Sequence, residues 1–264
     1  MKGALENWVD SLNLKEDDVI LFATNLAGMA KVMKAKGETF SVDVFIETFQ
    51  RALPQGTIIV PAYTDNLKCG DVFDPKTSKP TTGAISNKVQ RRKDFKRTAD
   101  PLHSVFVWGA KTNEILALED ESTFGKQSIF GFLHKVNAKM IIIDEHLQNS
   151  FTFIHYVEEQ MKVKYRRYYN YNIIVVEDGK VVKNKVLFYT KRRGVENDLY
   201  DLQVTLRANK TVTLSYFDTI EIQLLNFKEA YNSIQNYLLS GKRIYYFSIL
   251  TWVKSVAKTI LRRK

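Results

Sequence analysis

Cysteine is nearly absent: Cys69 stands alone in 264 residues. A single thiol excludes an internal disulfide and any cysteine-rich zinc site, and it fits a reducing, cytoplasmic compartment. Long apolar runs are missing as well. No stretch reaches the length of about 18 apolar residues that a spanning helix requires. Residues 1–20 mix acids with apolar residues and lack the continuous apolar core of a signal peptide, so none is expected. Histidine is scarce, and the four present never fall at His-x-x-x-His or another paired-ligand spacing, so no metal is expected. No repeat, low-complexity tract or linker divides the chain, which is read as one domain over 1–264.

What is abundant is basic charge. The formal net charge is +10, gathered in short clusters at 88–97, 162–167, 191–193 and 262–264. None of these clusters sits in a nucleic-acid-binding motif, so no nucleic-acid partner is expected. The charge suits solubility, an anionic membrane face or an anionic cofactor. The 45% hydrophobic fraction is ordinary for a globular domain, and a chain of this size buries roughly three quarters of its unfolded surface.

The order of elements points to α/β architecture. Residues 3–11 read as a short helix. Residues 19–22 form a compact buried strand ending in a small-residue turn, 23–28. Helical spacing in Phe40, Val44, Phe45, Phe49 and Leu53 predicts a helix over 40–53, stopped by Pro54-Gln55-Gly56. Residues 57–60 form a second strand. Strand, helix, strand in that order predicts a largely parallel sheet with crossover helices, in a three-layer α/β/α arrangement. Ligands gather at the carboxyl ends of such strands, where Asn25 and Tyr63 fall. Residues 64–82 should form a long loop, and loops of that length are often functional. Helices are expected over 83–92, with Thr82 as N-cap, and over 129–136 and 151–160; strands are expected over 105–108 and 140–143. From 173 the pattern changes to strands at 173–176, 185–189, 200–206 and 211–217, a hairpin turn at 177–180, and a helix at 227–240. The core is therefore placed at 8–170 and an α+β portion at 171–248. Residues 249–264 read as an amphipathic terminal helix with Lys254, Lys258, Arg262 and Arg263 opposite its apolar face.

Several ordered motifs carry chemistry. Phe73-Asp74-Pro75-Lys76-Thr77 lies in the long loop. Asp100-Pro101-Leu102-His103-Ser104-Val105 presents a histidine at a strand start. Asn149-Ser150-Phe151-Thr152-Phe153-Ile154-His155-Tyr156-Val157-Glu158 places Thr152, His155 and Glu158 on one helical face. Read alone, His103 suits a hydrogen-bonded structural histidine, Asp74 a turn cap, and His155 with Glu158 a surface helix face. As an ordered set they resemble the aminoglycoside 3-N-acetyltransferase family of antibiotic N-acetyltransferases, over roughly residues 8–170 with weaker echoes further on.

The resemblance implies an N-acetyltransferase that uses acetyl-coenzyme A and acts on an amino sugar. It places His103 at the catalytic centre as general base, with Glu158 as the second catalytic residue. His155, Thr152, Asn149, Asp74 and Tyr63 are implied near the acceptor. Thr24, Asn25 and Ser104 are implied near the donor, and Lys88, Arg91 and Arg92 are candidates for its phosphates. An acidic pocket of Glu158 with Asp144 or Glu145 would attract a cationic acceptor. The sequence departs from the family pattern in two places. Ala23-Thr24-Asn25 replaces His-Ser-Ser after the first strand, and Asp144-Glu145-His146 replaces glycines after the strand at 140–143. These departures, with the basic tail, favour an acceptor of surface-polysaccharide biosynthesis, a nucleotide- or lipid-linked amino sugar, over an antibiotic. The alternatives are an aminoglycoside acceptor and a non-catalytic sugar- or partner-binding relative. The tail is expected to pack on the core or to touch the inner membrane face peripherally, and a homodimer stays open.

Overall fold

The computed structural model describes residues 2–119 and 121–261. A seven-stranded mixed sheet runs through the molecule, in the order Val212–Phe217, Ile220–Asn226, Lys139–Ile143, Val19–Thr24, Thr57–Pro61, Val105–Gly109, Lys96–Arg97. Its centre is parallel: Val19–Thr24 pairs in parallel with Thr57–Pro61 on one side and Lys139–Ile143 on the other. Both flanks turn antiparallel, through Val105–Gly109 beyond Thr57–Pro61 and Ile220–Asn226 beyond Lys139–Ile143.

The central strands are apolar along most of their length because both of their faces are covered, the usual state of parallel strands. Alternation then divides their side chains between two cores. Leu21, Ile59, Val107, Met140 and Ile142 point to one face. The helices Ile129–Lys135, Ile154–Gln160, Tyr200–Ala208 and Phe227–Leu239 cover that face. Ile20, Phe22, Ile58, Val60, Ile141 and Ile143 point to the other. The helices Ala4–Ser11, Ala27–Ala35, Val42–Ala52 and Ala84–Val89 cover that one. This is the three-layer α/β arrangement. Helix Val42–Ala52 begins where Ser41 accepts a hydrogen bond from the Val44 amide, and its Phe45 and Phe49 meet Phe22 at centroid distances of 5.2 and 4.8 Å.

Four local expectations are corrected. Residues 200–206 form part of a helix, not a strand, because Leu199, Leu202 and Leu206 turn to the core at helical spacing while Tyr200 and Val204 face solvent. The small-residue turn at 23–28 runs straight into helix Ala27–Ala35, with the Asn25 side chain accepting from the Ala27 amide. The helix expected over 151–160 starts only at Ile154 and runs to Gln160, after a separate short helix Leu147–Ser150. Thr82 does not cap its helix: its hydroxyl donates to the Pro61 carbonyl and Gly83 occupies the cap position. The hairpin turn forms as read, with Asp178 and Gly179 both at positive φ.

Beyond the main sheet, the antiparallel pair Arg166–Tyr171 and Val186–Lys191 makes a two-stranded ribbon. A second ribbon pairs Val195–Asn197 with Tyr245–Phe247, and from it helix Ile249–Leu261 departs. Of the expected tail, 262–264 lie outside the described residues.

Phe49 is fully buried against Trp8, Phe22 and Phe45. Phe49→Ala should therefore lower the unfolding free energy by about 3–5 kcal/mol. Urea denaturation of the two proteins measures this; a loss under about 1 kcal/mol would show that the helical layer packs loosely.

Candidate active site

A cleft of about 600 Å³ opens at the carboxyl edge of the parallel strands. Thr24 ends the first strand, Pro61 ends the second and leads to Tyr63, and Glu145 follows the third. His103 reaches the same edge because its strand is antiparallel: Val105 pairs with Pro61, so the start of one strand lies beside the end of the other. The segment is pinned further by Ala62 N–H donating to the Ser104 carbonyl at 2.8 Å and Thr64 N–H to that of Leu102 at 3.2 Å. Across the cleft stand His155, Asn149 and Thr152, and the ribbon contributes Arg166, Phe188, Thr190 and Lys191.

His155 is the best-oriented titratable group in the cleft. Its Nδ1 lies 2.7 Å from Glu158 Oε2, one helical turn on. Glu158 is wholly buried. It accepts from the Tyr165 hydroxyl at 2.9 Å through its other oxygen, and Arg166 Nε approaches Oε2 at 2.5 Å. Arg166 is anchored by donating to the Tyr189 carbonyl at 2.8 Å. Arg166 Nη2 also stands 2.6 Å from His155 Nδ1. One ring nitrogen cannot both donate to the carboxylate and accept from the guanidinium. Arg166 Nη2 also lies 3.4 Å from Nε2; an ionised Glu158 needs a donor at Nδ1, so we assign the proton to Nδ1 and leave Nε2 as the accepting nitrogen. Burial pushes His155 below its ordinary pKa, Arg166 adds to the shift, and Glu158 opposes it without cancelling it. Burial pushes the Glu158 carboxyl up, but contact with His155, Arg166 and Tyr165 together draws it lower than an ordinary glutamate. The result near neutral pH is an ionised carboxylate holding a neutral imidazole.

His103 is placed differently. Its ring packs among Tyr63, Phe124 and Phe188, with centroids 4.7, 4.8 and 5.8 Å away. Burial, followed by His155 and Arg166, pushes its pKa down to about 3. Its Nδ1 is buried without a hydrogen-bond partner among the described residues. The carboxylate expected to support a histidine base is therefore found on His155, not on His103. Asp100, three residues before His103, accepts the Leu102 and His103 amides through one oxygen and shapes the turn.

Of the residues singled out in the sequence, His103, His155, Tyr63, Thr24, Asn149 and Thr152 come together in the cleft. Tyr63 is raised in pKa chiefly by burial, with its hydroxyl hydrogen-bonded to Thr152. The Thr24 hydroxyl is buried and has no partner among the described residues. Glu158 lies directly behind His155. Six other residues stand elsewhere. Ser104 is fully buried and donates to the Ala62 carbonyl at 2.7 Å. Asn25 is exposed, and its side chain accepts from the Ala27 amide at the start of a helix. Asp74 accepts the Lys76 amide at 2.7 Å in a turn and lines a separate cavity. Lys88 pairs with Asp43 at 2.8 Å, and Arg91 is exposed outside the cleft. Arg92 binds Asp43 and Asp94. Positive charge in the sequence had no way to reveal that acids on the neighbouring helix already hold Lys88 and Arg92.

Two acids face the cleft. Asp65, raised in pKa by burial, and Glu145 both line it, and neither carboxylate forms an ion pair among the described residues. Asp144 is exposed, at a positive φ of 52°, and does not line the cleft. Sequence reasoning missed Asp65 and Arg166. Asp65 has no motif around it, and Arg166 was indistinguishable from the solvated basic residues beside it.

Comparison with known proteins places the chain in a family. The chain belongs to the aminoglycoside 3-N-acetyltransferase family, which it matches over residues 27–239. It is by that membership an acetyltransferase. No curated protein sequence matches it significantly. Among solved structures, it is similar to the YokD protein from Bacillus subtilis, at 17% identity over 90% of this chain and 98% of that chain, with a TM-score of 0.74. The aminoglycoside acetyltransferase AAC(3)-Xa is similar at 15% identity over 89% and 91% of the two chains, with a TM-score of 0.74. AAC-IIIb in binary complex with CoASH is similar at 14% identity over 93% and 96%, with a TM-score of 0.73. At these identities the structural likeness establishes the fold.

Removing the negative charge beside His155 should lower its pKa further, because the imidazolium form loses its favourable neighbour. A histidine-resolved NMR titration of Glu158→Gln is expected to show His155 titrating at lower pH than in the wild type. An unchanged or raised value would mean that the two side chains do not interact.

Proposed function

We propose that this protein transfers the acetyl group of acetyl-coenzyme A to an amino group of a cationic amino sugar of the aminoglycoside type. The observation that carries the reading is the His155–Glu158 pair, a neutral imidazole fixed by a buried carboxylate on the wall of the cleft. An ammonium group has no lone pair and must lose a proton before its nitrogen can attack. That first proton passes to solvent; as the neutral nitrogen then bonds to the acyl carbon, His155 accepts its second proton at Nε2 and the carbon–sulfur bond breaks, leaving a neutral amide. The proton on His155 is then available to the departing sulfur. Glu158 holds the ring in the required tautomer and stabilises the imidazolium as it forms, the usual part of a carboxylate behind a histidine base.

The remaining residues bind and orient. The unpartnered Thr24 hydroxyl and the unpartnered Nδ1 of His103 are polar atoms that a ligand would satisfy, and they are suited to the thioester end of the donor. His103 has no carboxylate beside its Nδ1 to stabilise an imidazolium, so it serves as a hydrogen-bonding wall and not as the proton acceptor. Asp65 and Glu145 are suited to ammonium groups of the acceptor. A nucleotide- or lipid-linked sugar would bring phosphate charge toward these two carboxylates, which disfavours the polysaccharide reading. Family membership weighs on the same side.

Acetyl transfer to a panel of aminoglycosides, followed by thiol release, tests the proposal. His155→Ala should lower kcat and kcat/KM together by about 10²–10⁴-fold, since the proton transfer belongs to the transition state. Coenzyme A binding should persist in that variant. Asp65→Asn with Glu145→Gln should raise KM for the acceptor more than it lowers kcat. A folded His155→Ala protein with near wild-type kcat would overturn the assignment.

The pH dependence has a definite sign. A general base works when unprotonated, and His155 is held below its ordinary value of 6.5. The acid limb of kcat should therefore fall below pH 6.5. A limb above that value would contradict a buried His155 as the base.

A further inference from the structure

The amphipathic helix at the end of the chain was open to two uses, packing on the core or contact with a membrane face. The structure leaves its apolar face uncovered, the helix meeting the body through Thr251 on Glu196 of the strand Val195–Asn197. Ile249 and Leu250 are 70% and 74% exposed, and Trp252 and Val253 are 44% and 50% exposed. The strand that leads into the helix is exposed as well, through Tyr246 and Phe247. Single exposed apolar residues are ordinary, but six within eight consecutive positions form a patch that needs an occupant. The helix is held at its root: Ser248 N–H donates to the Gly194 carbonyl at 2.7 Å, and the ribbon Val195–Asn197 with Tyr245–Phe247 fixes the strand before it. The apolar face is thus presented on a fixed base.

Charge identifies the occupant. Residues 241–264 contain seven Lys and Arg and no Asp or Glu. On a wheel of 100° per residue, Ile249, Leu250, Trp252, Val253 and Val256 fall in one half, and Thr251, Lys254, Ser255 and Lys258 in the other. Lys242 and Arg243, both exposed, stand at the turn that feeds the ribbon. A second copy of the chain on this face would set two wholly basic segments against each other. An anionic bilayer accepts both features. Tyr, Trp and Phe suit the headgroup boundary, and basic residues beside an apolar face are the signature of a helix lying in that boundary. Among the described residues no helix is long and apolar enough to cross a membrane.

We infer that residues 246–261 dock this enzyme peripherally on an anionic lipid surface, with the helix lying in the plane of the interface. Docking through this ribbon leaves the acetyl-transfer machinery untouched, since none of Tyr246, Phe247, Ile249, Leu250, Trp252 and Val253 lines the cleft.

The test is co-sedimentation of the intact protein with vesicles of phosphatidylcholine containing about one third phosphatidylglycerol, beside vesicles of phosphatidylcholine alone. Binding is expected on the anionic vesicles, weakening with added salt, and little binding on the neutral ones. Leu250→Asp should reduce the bound fraction about tenfold, with melting temperature and acetyl transfer unchanged. Val204→Asp, at a 66% exposed apolar residue on another helix, should bind as the wild type does and controls for added charge. The inference is overturned by absence of binding to anionic vesicles, by equal binding of Leu250→Asp and wild type, or by light scattering that shows a dimer in the wild type, lost in Leu250→Asp, with no vesicle binding.

Discussion

Glu158 is a carboxylate with 1% of its side chain exposed, and no carboxylate stays ionised in such a place alone. Arg166, Tyr165 and His155 supply the charge and the hydrogen bonds that keep it so. Losing one partner of a buried ion pair costs about 3–5 kcal/mol, because the other is left uncompensated. The cleft depends on this arrangement. It sets the His155 tautomer, and it ties the helix Ile154–Gln160 to the ribbon Arg166–Tyr171. It also places one wall of the cleft opposite the strand ends that form the other. Phe124 sits between the walls, its ring 4.8 Å from that of His103 and 5.2 Å from that of His155.

The opposite wall follows from sheet chemistry. Apolar strands buried on both faces leave only their ends for polar work, and the parallel centre of the sheet gathers three such ends at one edge. The antiparallel strand beside them adds its beginning, which is how His103 arrives there. The two histidines come from separate motifs and meet as unlike groups. One is fixed by a charged neighbour, and the other is enclosed by aromatic rings and kept neutral.

Much of the fold was legible. The runs at 19–22, 58–60 and 140–143 are apolar at every position because they lie in the middle layer, and that pattern survives in the sequence. Residues 200–206 were misread because Tyr200, Leu202, Val204 and Leu206 alternate like a strand. Tertiary packing selected the helical set Leu199, Leu202 and Leu206 instead. Of the site, the motif residues His103, Thr152, His155 and Glu158 were legible through resemblance to a family. Their division of labour was not, because it rests on which histidine meets the buried carboxylate. Arg166 was hidden in a basic stretch, and Lys88 seemed available only because Asp43, its partner, lies 45 residues earlier. Tertiary pairing of charges leaves no periodic trace in a sequence.

The central claim is that His155, held by Glu158, receives the proton of the acceptor amine. The measurement closest to it is a crystal structure of the protein with coenzyme A and an aminoglycoside acceptor bound together. The account expects the reacting amine within about 2.6–3.2 Å of His155 Nε2, with other ammonium groups against Asp65 and Glu145. An amine seated on His103, with His155 Nε2 turned away from the acceptor, would contradict it.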